Sequence, residues 1–182
     1  MMDGTELLEH DHRIVEQMFR DYETAASAVQ RRGVVEILIR ELSKHASLEE
    51  LLVYPLAKKV IPEMAGEVDE HLSEHMGLKR ILASLDRLSA GDRLEGDLVA
   101  ELRREVEHHV QEEEGEFFPR LREALGPEAL GDLGEQLRKG KRAAPTRPHP
   151  HAPNEPPALA MAAPVAAVYD RVRDRLQRRP RT

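Results

Sequence analysis

Two stretches of the sequence share one arrangement of imidazole, carboxylate and proline. Residues 45–55 and 109–119 each begin with a histidine, carry a glutamate four residues later and end in an aromatic residue followed by proline. Residues four apart lie one turn apart on the same face of a helix, so each stretch presents an imidazole and a carboxylate to a shared point. Helical bundles build metal sites from such pairs, and an internal repeat indicates a repeated structural unit. The two stretches therefore predict a metal centre between two related helical units.

Four segments of the chain have the hydrophobic periodicity of amphipathic helices, and all four carry polar residues at core positions. Five histidines and two glutamates fall on these apolar stripes: His12, His45, Glu49, His71, His75, His109 and Glu113. The neighbouring His10 and His108 lie on other faces of their helices, so we expect them to face solvent. Because burying carboxylates without a cation is costly, the pattern predicts that the seven residues hold metal.

The number of candidate ligands exceeds what one ion can use. Seven ligands are too many for one tetrahedral zinc, and Mg²⁺ and Ca²⁺ prefer sites built from oxygen. Imidazole with some carboxylate suits iron, manganese, copper or zinc. Five histidines, two bridging carboxylates and one bridging oxide or hydroxide leave a single open position on a pair of octahedral ions. The sequence therefore predicts a dinuclear centre that can accept one small ligand.

The same periodicity predicts the elements that position these residues. We expect four long helices and a short fifth one, over residues 3–31, 34–61, 65–90, 97–125 and 127–138. Asp3 and Glu6 have the spacing of a capping box at the start of the first helix. In the second helix the apolar stripe is expected to continue through Leu52 and Leu56, and Pro55 is expected to kink or tighten the helix. Short connections predict an all-α fold, an antiparallel up-down-up-down four-helix bundle.

The composition changes after about residue 140. We expect a bundle over residues 1–140, a Pro-rich linker over 141–164 and a short basic helix within 165–182. The net charge is −7, but residues 141–182 contain nine basic and three acidic residues, so the preceding part carries −13. The basic helix is expected to dock on the acidic bundle of the same chain or of a second copy, with a free tail for an anionic surface as the alternative. Its expected contacts are Val168, Val172 and Leu176 on apolar surface, and Arg171, Arg175 and Arg178 on carboxylates.

Several classes of protein are excluded by what the sequence lacks. The chain has no cysteine, which rules out disulfides, thiolate zinc sites and cysteine-ligated iron–sulfur clusters. The N-terminal residues are acidic without an apolar core, unlike a signal peptide, and no apolar run approaches the roughly 20 residues of a membrane helix. The acidic balance of the main domain argues against nucleic acid. We expect a cytoplasmic protein with neither membrane nor nucleic acid as a partner.

These features together resemble the hemerythrin-like domain, also called the HHE cation-binding domain. The resemblance covers about residues 5–125 and rests on Asp11-His12, His45 with Glu49, Tyr54-Pro55, His71 with His75, His109 with Glu113, and Phe118-Pro119. It implies a four-helix bundle around a non-haem di-iron centre that binds dioxygen reversibly or reacts with related small molecules. One iron would take three histidines and the other two, with Glu49 and Glu113 bridging. Glu114 is an alternative to Glu113, because family members vary between a carboxylate four and five residues after the last histidine.

The expected function is oxygen carriage, storage or sensing, or chemistry on peroxide or nitric oxide, at two oxo- or hydroxo-bridged irons. The alternatives are a metal-dependent regulatory or iron-sensing module that acts through partner contacts, and a structural bundle with zinc or no metal. The sequence contains no recognisable general acid or nucleophile and does not decide whether the protein is an enzyme. Tyr54 is expected either to donate a hydrogen bond or an electron to the centre or to pack as an aromatic cap. Glu50 and Glu74 are expected either to orient ligand imidazoles or to be solvated.

Overall fold

The computed structural model describes residues 2–177, and the regular structure in that range is helical, without strands. The helices are α1 (Gly4–Thr24), α2 (Ala28–Leu48), α3 (Tyr54–Val60), α4 (Ala65–Arg87), α5 (Glu95–Glu112), α6 (Phe118–Lys141) and α7 (Ala158–Leu176). One π-helical turn (Glu49–Val53) joins α2 to α3, another (Glu113–Phe117) joins α5 to α6, and a 3₁₀ turn (Pro62–Met64) precedes α4. The prediction of an all-α fold is confirmed. None of the described helices combines the length and apolar character that crossing a bilayer requires.

The first two helices begin at side chains that satisfy free backbone amides. The predicted capping box is present: the Asp3 carboxylate accepts from the Glu6 amide, and the Glu6 carboxylate accepts from the Asp3 amide, both at 2.9 Å. Helix α1 ends earlier than predicted, because the Ser27 hydroxyl accepts from the Gln30 amide at 3.2 Å and starts a new helix. The predicted gap between the first two helices, at residues 32–33, is therefore wrong, and Gly33 lies within α2. A serine N-cap satisfies amides that would otherwise lack partners, whereas an isolated glycine is tolerated inside a helix.

Each π-helical turn ends two residues before a proline. Pro55 and Pro119 occupy the first turns of α3 and α6. A proline removes one helical hydrogen bond, and its ring clashes with the carbonyl group four residues earlier, which falls within the π turn in both cases. The wider turn accommodates the ring without ending the helix. The predicted distortion at Pro55 is therefore a widening of the helix rather than a tightening.

The π turn after Glu49 also changes which residues face the core. Because such a turn contains one extra residue, every later core position moves along by one. Val53, Tyr54 and Ala57 are buried, whereas Leu52 and Leu56 are only partly buried. The predicted continuation of the stripe through the two leucines is therefore wrong. The shift turns the aromatic ring of Tyr54 inward.

The apolar core is divided into two clusters, and the predicted ligands lie between them along the chain. Leu8 of α1, Val68 of α4, and Val53 and Phe117 of the two π turns belong to the first cluster, whereas Val15, Leu42, Leu78 and Val106 of α1, α2, α4 and α5 belong to the second. The histidines and glutamates of the apolar stripes fall in the intervening sequence positions. The two clusters therefore enclose a polar layer and keep bulk water away from it.

The C-terminal part of the chain is more helical than predicted. Helix α6 continues past a kink at Gly126, where φ is 70°, to Lys141, so the predicted fifth helix is longer than residues 127–138. Helix α7 begins at Ala158 rather than 165, because alanine, leucine and methionine favour helix up to Pro164, which the helix accommodates. The stretch predicted as a linker over 141–164 is correspondingly shorter. The predicted last turn up to residue 179 extends outside the described residues.

Helix α7 contacts its own chain, as expected, but through the opposite face. Val168, Val172 and Leu176 are 61%, 52% and 80% exposed, whereas Asp170 and Asp174 are buried. The predicted apolar contact with the bundle of the same chain is therefore wrong. The buried aspartates find donors in the segment before α7 and on α2, and these partners decide which face docks. Of the arginines expected to meet carboxylates, Arg171 donates to the carbonyl group of Arg142, and Arg178 lies outside the described residues.

Asp170 and Asp174 are the centre of this contact. One oxygen of Asp170 accepts from the backbone amides of Thr146 and Arg147 at 3.0 and 3.1 Å. Asp174 accepts from Nε of Arg147 at 2.9 Å and from Nη2 of Arg40 at 3.3 Å. Arg147 is 2% exposed and also contacts both carboxylate oxygens of Asp86 on α4, at 2.9 and 3.0 Å. A buried ionic network thus holds residues 142–176 against α2 and α4.

Candidate metal centre

A first group of donors forms where α1 and α2 approach the two π turns. Nε2 of His12 lies 3.1 Å from Nε2 of His45 and 3.4 Å from Oε2 of Glu113. Nε2 of His45 lies 3.1 Å from Oε1 of Glu49. All four side chains are buried, and their donor atoms are close enough together to hold one metal ion.

A second group forms on the other side of the same two glutamates. Nε2 of His75 lies 3.0 Å from Nε2 of His109 and 3.4 Å from Oε2 of Glu49. Nε2 of His109 lies 3.5 Å from Oε2 of Glu113. The ring of His71 is 5.2 Å from the ring of His109, and its Nε2 accepts or donates no hydrogen bond within residues 2–177. The structure thus brings all seven predicted residues together and divides the histidines into a pair and a trio.

Glu49 and Glu113 lie between the two histidine groups, fully buried. Neither oxygen of Glu49, nor Oε2 of Glu113, has a well-formed hydrogen bond to any described residue. Burial by itself would raise the pKa of Glu49, but the charge of the nearby His45 outweighs it and holds that pKa well below its usual range. Anionic oxygens buried without hydrogen bonds are expensive, and a cation on either side removes that cost. The donor set therefore fits bound cations.

The outer nitrogen of each of these imidazoles faces a carboxylate. The Nδ1 distances are 2.8 Å from His12 to Glu114, 3.6 Å from His45 to Asp11, 3.3 Å from His71 to Glu74, 3.1 Å from His75 to Glu50 and 2.7 Å from His109 to Glu74. A carboxylate at Nδ1 keeps the proton there and leaves the Nε2 lone pair directed inward. Glu74 serves two rings, and its hydrogen bond to His109 lowers its pKa to about 2.

These contacts bear on the carboxylates for which the sequence left two alternatives. Glu50 and Glu74 orient imidazoles rather than being solvated. Glu114 lies behind His12 and contacts Arg13, so Glu113 is the carboxylate that faces the other candidate ligands. Asp11 also lies behind an imidazole, a position that was not predicted from the sequence, because its partner is not the adjacent His12 but His45 on the next helix. Pairing across helices leaves no signal in the spacing of a single sequence.

Lys79 is a further residue that the sequence analysis missed. Its ammonium group donates to Oε2 of Glu50 at 2.7 Å, and the residue is 8% exposed. The contact balances the charge of Glu50, the carboxylate that orients His75. Lys79 lies four residues after His75, so the two side chains share one face of the helix. This spacing is the feature of the sequence that could have placed Lys79 near the site.

Tyr54 reaches the centre because of the π turn. Its hydroxyl donates to Oε1 of Glu113 at 3.0 Å and lies 3.2 Å from Nε2 of His75. The ring stacks on His71 with centroids 5.8 Å apart. Burial, with the Glu113 and Glu49 charges, raises the pKa of Tyr54 well above its usual value, so the phenol stays neutral and acts as a donor. Both roles expected for Tyr54, hydrogen bonding and packing, are seen.

A small, mostly apolar cavity adjoins the histidines. Its volume is about 20 Å³, and it is lined by His12, His45, His75 and His109 together with Lys79 and the aliphatic side chains of Val15, Leu42, Ala46, Leu78, Leu82, Val106 and Val110. That space is close to the volume one small molecule of two or three atoms needs. By contrast, His10 and His108 face solvent as predicted, and the His108 side chain is 60% exposed.

Metal uptake is expected to depend on pH through His75. Burial opposes its charge, but the Glu49 and Glu50 carboxylates outweigh burial and raise the pKa of His75 to about 9 in the metal-free protein. An unfolded histidine has a pKa near 6.5, so protonated His75 stabilises the metal-free fold below that pH, and the contribution is lost as the pH rises through about 9. A metal ion must displace this proton, so its apparent affinity should rise about tenfold per pH unit between about pH 7 and 9.

Anaerobic ferrous titrations at two pH values in this window, with proton release followed in parallel, measure the effect. Equal affinities without proton release would contradict the protonation state inferred for His75.

The family model described as the hemerythrin HHE cation-binding domain matches residues 3–121. An uncharacterized hemerythrin-like protein of Schizosaccharomyces pombe is 28% identical over 173 residues, which span 93% of this chain and 84% of the relative. A protein of Nostoc sp. named DNA nickase is 24% identical over 140 residues, which span 77% of this chain and only 39% of that protein. No solved structure gives a significant match.

Proposed function

Because the chain belongs to the hemerythrin HHE cation-binding family, we propose that it holds two iron ions and binds dioxygen or a related small ligand. His71, His75 and His109 would hold one iron and His12 and His45 the other. Glu49 and Glu113, which lie between the two histidine groups, would contribute carboxylate oxygens to both sites. Bound as a pair, the irons supply reversible binding of dioxygen or chemistry on peroxide or nitric oxide.

The observation that carries this proposal is the position of the two buried glutamates between two histidine groups. Glu49 directs one oxygen toward His45, at 3.1 Å, and the other toward His75, at 3.4 Å. Oε2 of Glu113 lies 3.4 and 3.5 Å from His12 and His109. A single ion would leave one of these groups without a cation. A pair of ions satisfies both carboxylates and all five imidazoles.

The surroundings favour a small uncharged ligand. The group of His12 and His45 has one histidine fewer than the other group, so that side would leave more room for a ligand. The adjoining cavity of about 20 Å³ is lined by aliphatic side chains as well as by histidines, and it is too small for larger substrates. Tyr54 holds one oxygen of Glu113 by a hydrogen bond of 3.0 Å and so positions the bridge.

The proposal predicts about two irons per chain after anaerobic loading with excess ferrous iron. Exposure to air should then produce an absorption band of a bridged diferric centre, which fades when oxygen is removed if binding is reversible. Metal analysis and an optical spectrum before and after exposure to air measure both. About one iron per chain would contradict the dinuclear centre, and a colourless protein isolated with zinc would support the structural alternative.

We also propose the arrangement of the parts. Residues up to 140 form the metal-binding unit, with its long helices in antiparallel up-down-up-down order, and residues 141–177 form an appendage docked against it. Contacts between α1 and α2, α4 and α5, α1 and α6, and α2 and α4 support this order.

A regulatory module is a second candidate, and one contact favours it. The appendage covers a cavity of about 40 Å³ whose lining includes Lys79 and Glu50 from the bundle and Arg147 and His149 from the appendage. Glu50 in turn lies 3.1 Å from Nδ1 of His75. Metal occupancy at His75 is therefore linked by contacts to the surface on which the appendage docks. Equal protease resistance of α7 with and without metal would remove this candidate.

A further inference from the structure

Helix α7 presents a stripe of large apolar side chains to solvent. The six residues of this α7 stripe are Met161, Val165, Val168, Tyr169, Val172 and Leu176, and they are 52% to 80% exposed. At 100° per residue they occupy an arc of about 100° on one side of the helix. The buried positions, Leu159, Ala163, Ala167, Asp170 and Asp174, lie on the opposite side.

This orientation is the reverse of an ordinary amphipathic helix. The face against the bundle carries mostly small residues and two aspartates, and it is held by the ionic network of Arg147. The face with the larger apolar area is directed away from the bundle, so the bundle of the same chain does not cover it. A contiguous exposed apolar surface of this kind typically marks an interaction site.

The spacing of the α7 stripe points to its partner. The six positions are symmetric about the midpoint between Val168 and Tyr169: Met161 mirrors Leu176, Val165 mirrors Val172, and Val168 mirrors Tyr169. A two-fold interface between identical chains requires that residue i meet residue j while j meets i. Two copies of α7 packed antiparallel satisfy this condition at every position of the stripe.

The charges favour the same arrangement. Residues 158–169 contain no charged side chain, whereas Arg171, Arg173 and Arg175 follow in the second half. In an antiparallel pair these arginines lie opposite Ala166, Pro164 and Ala162, so the basic half of each helix faces the uncharged half of the other. A parallel pair would place like charges side by side, which costs free energy.

We propose that the chain forms a homodimer in which two α7 helices pack antiparallel through the α7 stripe, with Val168 and Tyr169 at the two-fold axis. The contact is small, near or below the roughly 1,200 Å² of weak specific interfaces, so the dimer dissociates at roughly micromolar concentrations. The metal centre lies on the other side of the docked face and takes no part in the contact.

Sedimentation velocity over a concentration series tests the dimer in the full-length protein. Wild-type protein should shift from monomer to dimer, and Val168→Glu should weaken dimerisation at least tenfold because it places two carboxylates near the axis. Val29→Glu is the matched control: Val29 is 74% exposed on α2, away from α7, so the dimer should persist. Protein that stays monomeric up to about 0.5 mM would overturn the proposal.

Cross-linking tests the register, because the chain has no cysteine of its own. With a short bis-maleimide, Val165→Cys mixed with Val172→Cys should give cross-linked dimers in far higher yield than either variant alone. Efficient cross-linking of each variant with itself would indicate a parallel pair and overturn the proposal. So would a protein that is monomeric throughout but sediments with vesicles containing phosphatidylserine, because the α7 stripe would then serve a membrane surface.

Discussion

His109→Ala protein, loaded anaerobically with excess ferrous iron, is expected to lose most of its bound metal, whereas His108→Ala protein should retain it. Nε2 of His109 lies 3.0 Å from Nε2 of His75, and its Nδ1 is 2.7 Å from Glu74. Removing a residue that only orients a ligand typically lowers metal affinity 10- to 100-fold, so loss of the ligand itself should cost more. The adjacent His108 is 60% exposed and faces solvent. Metal analysis of both variants gives the comparison, and equal losses would show that the inward orientation of His109 does not matter.

Glu49→Ala extends the same test to the bridge. Because the Glu49 carboxylate lies near both histidine groups, this variant should lose both irons. Glu50→Ala should lose less, because Glu50 lies behind His75, 3.1 Å from its Nδ1, rather than between the two groups. A variant that loses one iron and keeps the other would contradict bridging by Glu49.

Arg147→Ala is expected to release α7 without unfolding the metal-binding helices. The buried guanidinium contacts Asp86 at 2.9 Å and Asp174 at 2.8 Å. Removing one partner of a buried ion pair typically costs about 3–5 kcal/mol. This corresponds to at least a hundredfold increase in the fraction of molecules in which α7 is detached from the bundle. Cleavage by trypsin after Arg171, Arg173 and Arg175 should therefore accelerate at least a hundredfold, while iron content and helicity of the bundle stay unchanged.

Arg104→Ala is the control for this experiment. Arg104 is 72% exposed and pairs only weakly with the adjacent Glu105, so its loss should leave the cleavage rate unchanged. Because the Arg147 pairs are buried, high salt should also have little effect, unlike docking through exposed charges. Rapid cleavage of the wild type at the same rate as Arg147→Ala would show that the network does not hold α7.

The sequence by itself determined the helical class and the seven polar residues that are buried between the helices. Polar residues at apolar-stripe positions are visible in one chain because helical periodicity is local. His12, His71 and His109 face inward in the structure as their spacing predicts. The capping box at Asp3 is equally local, since donor and acceptor lie three residues apart.

Tertiary structure decided the division of the histidines into a pair and a trio, because that division depends on which helices are neighbours. It also decided the carboxylates behind the rings: Asp11 and Glu114 contact histidines on other helices. The inward position of Tyr54 required a π turn, which shifts the core-facing positions of the helix by one residue. That turn forms because the helix must accommodate Pro55 within a packed core. The docked face of α7 was decided in the same way. Its apolar stripe is plain in the sequence, but buried partners for Asp170 and Asp174 exist only in the folded chain, and they stabilise the opposite face against the bundle.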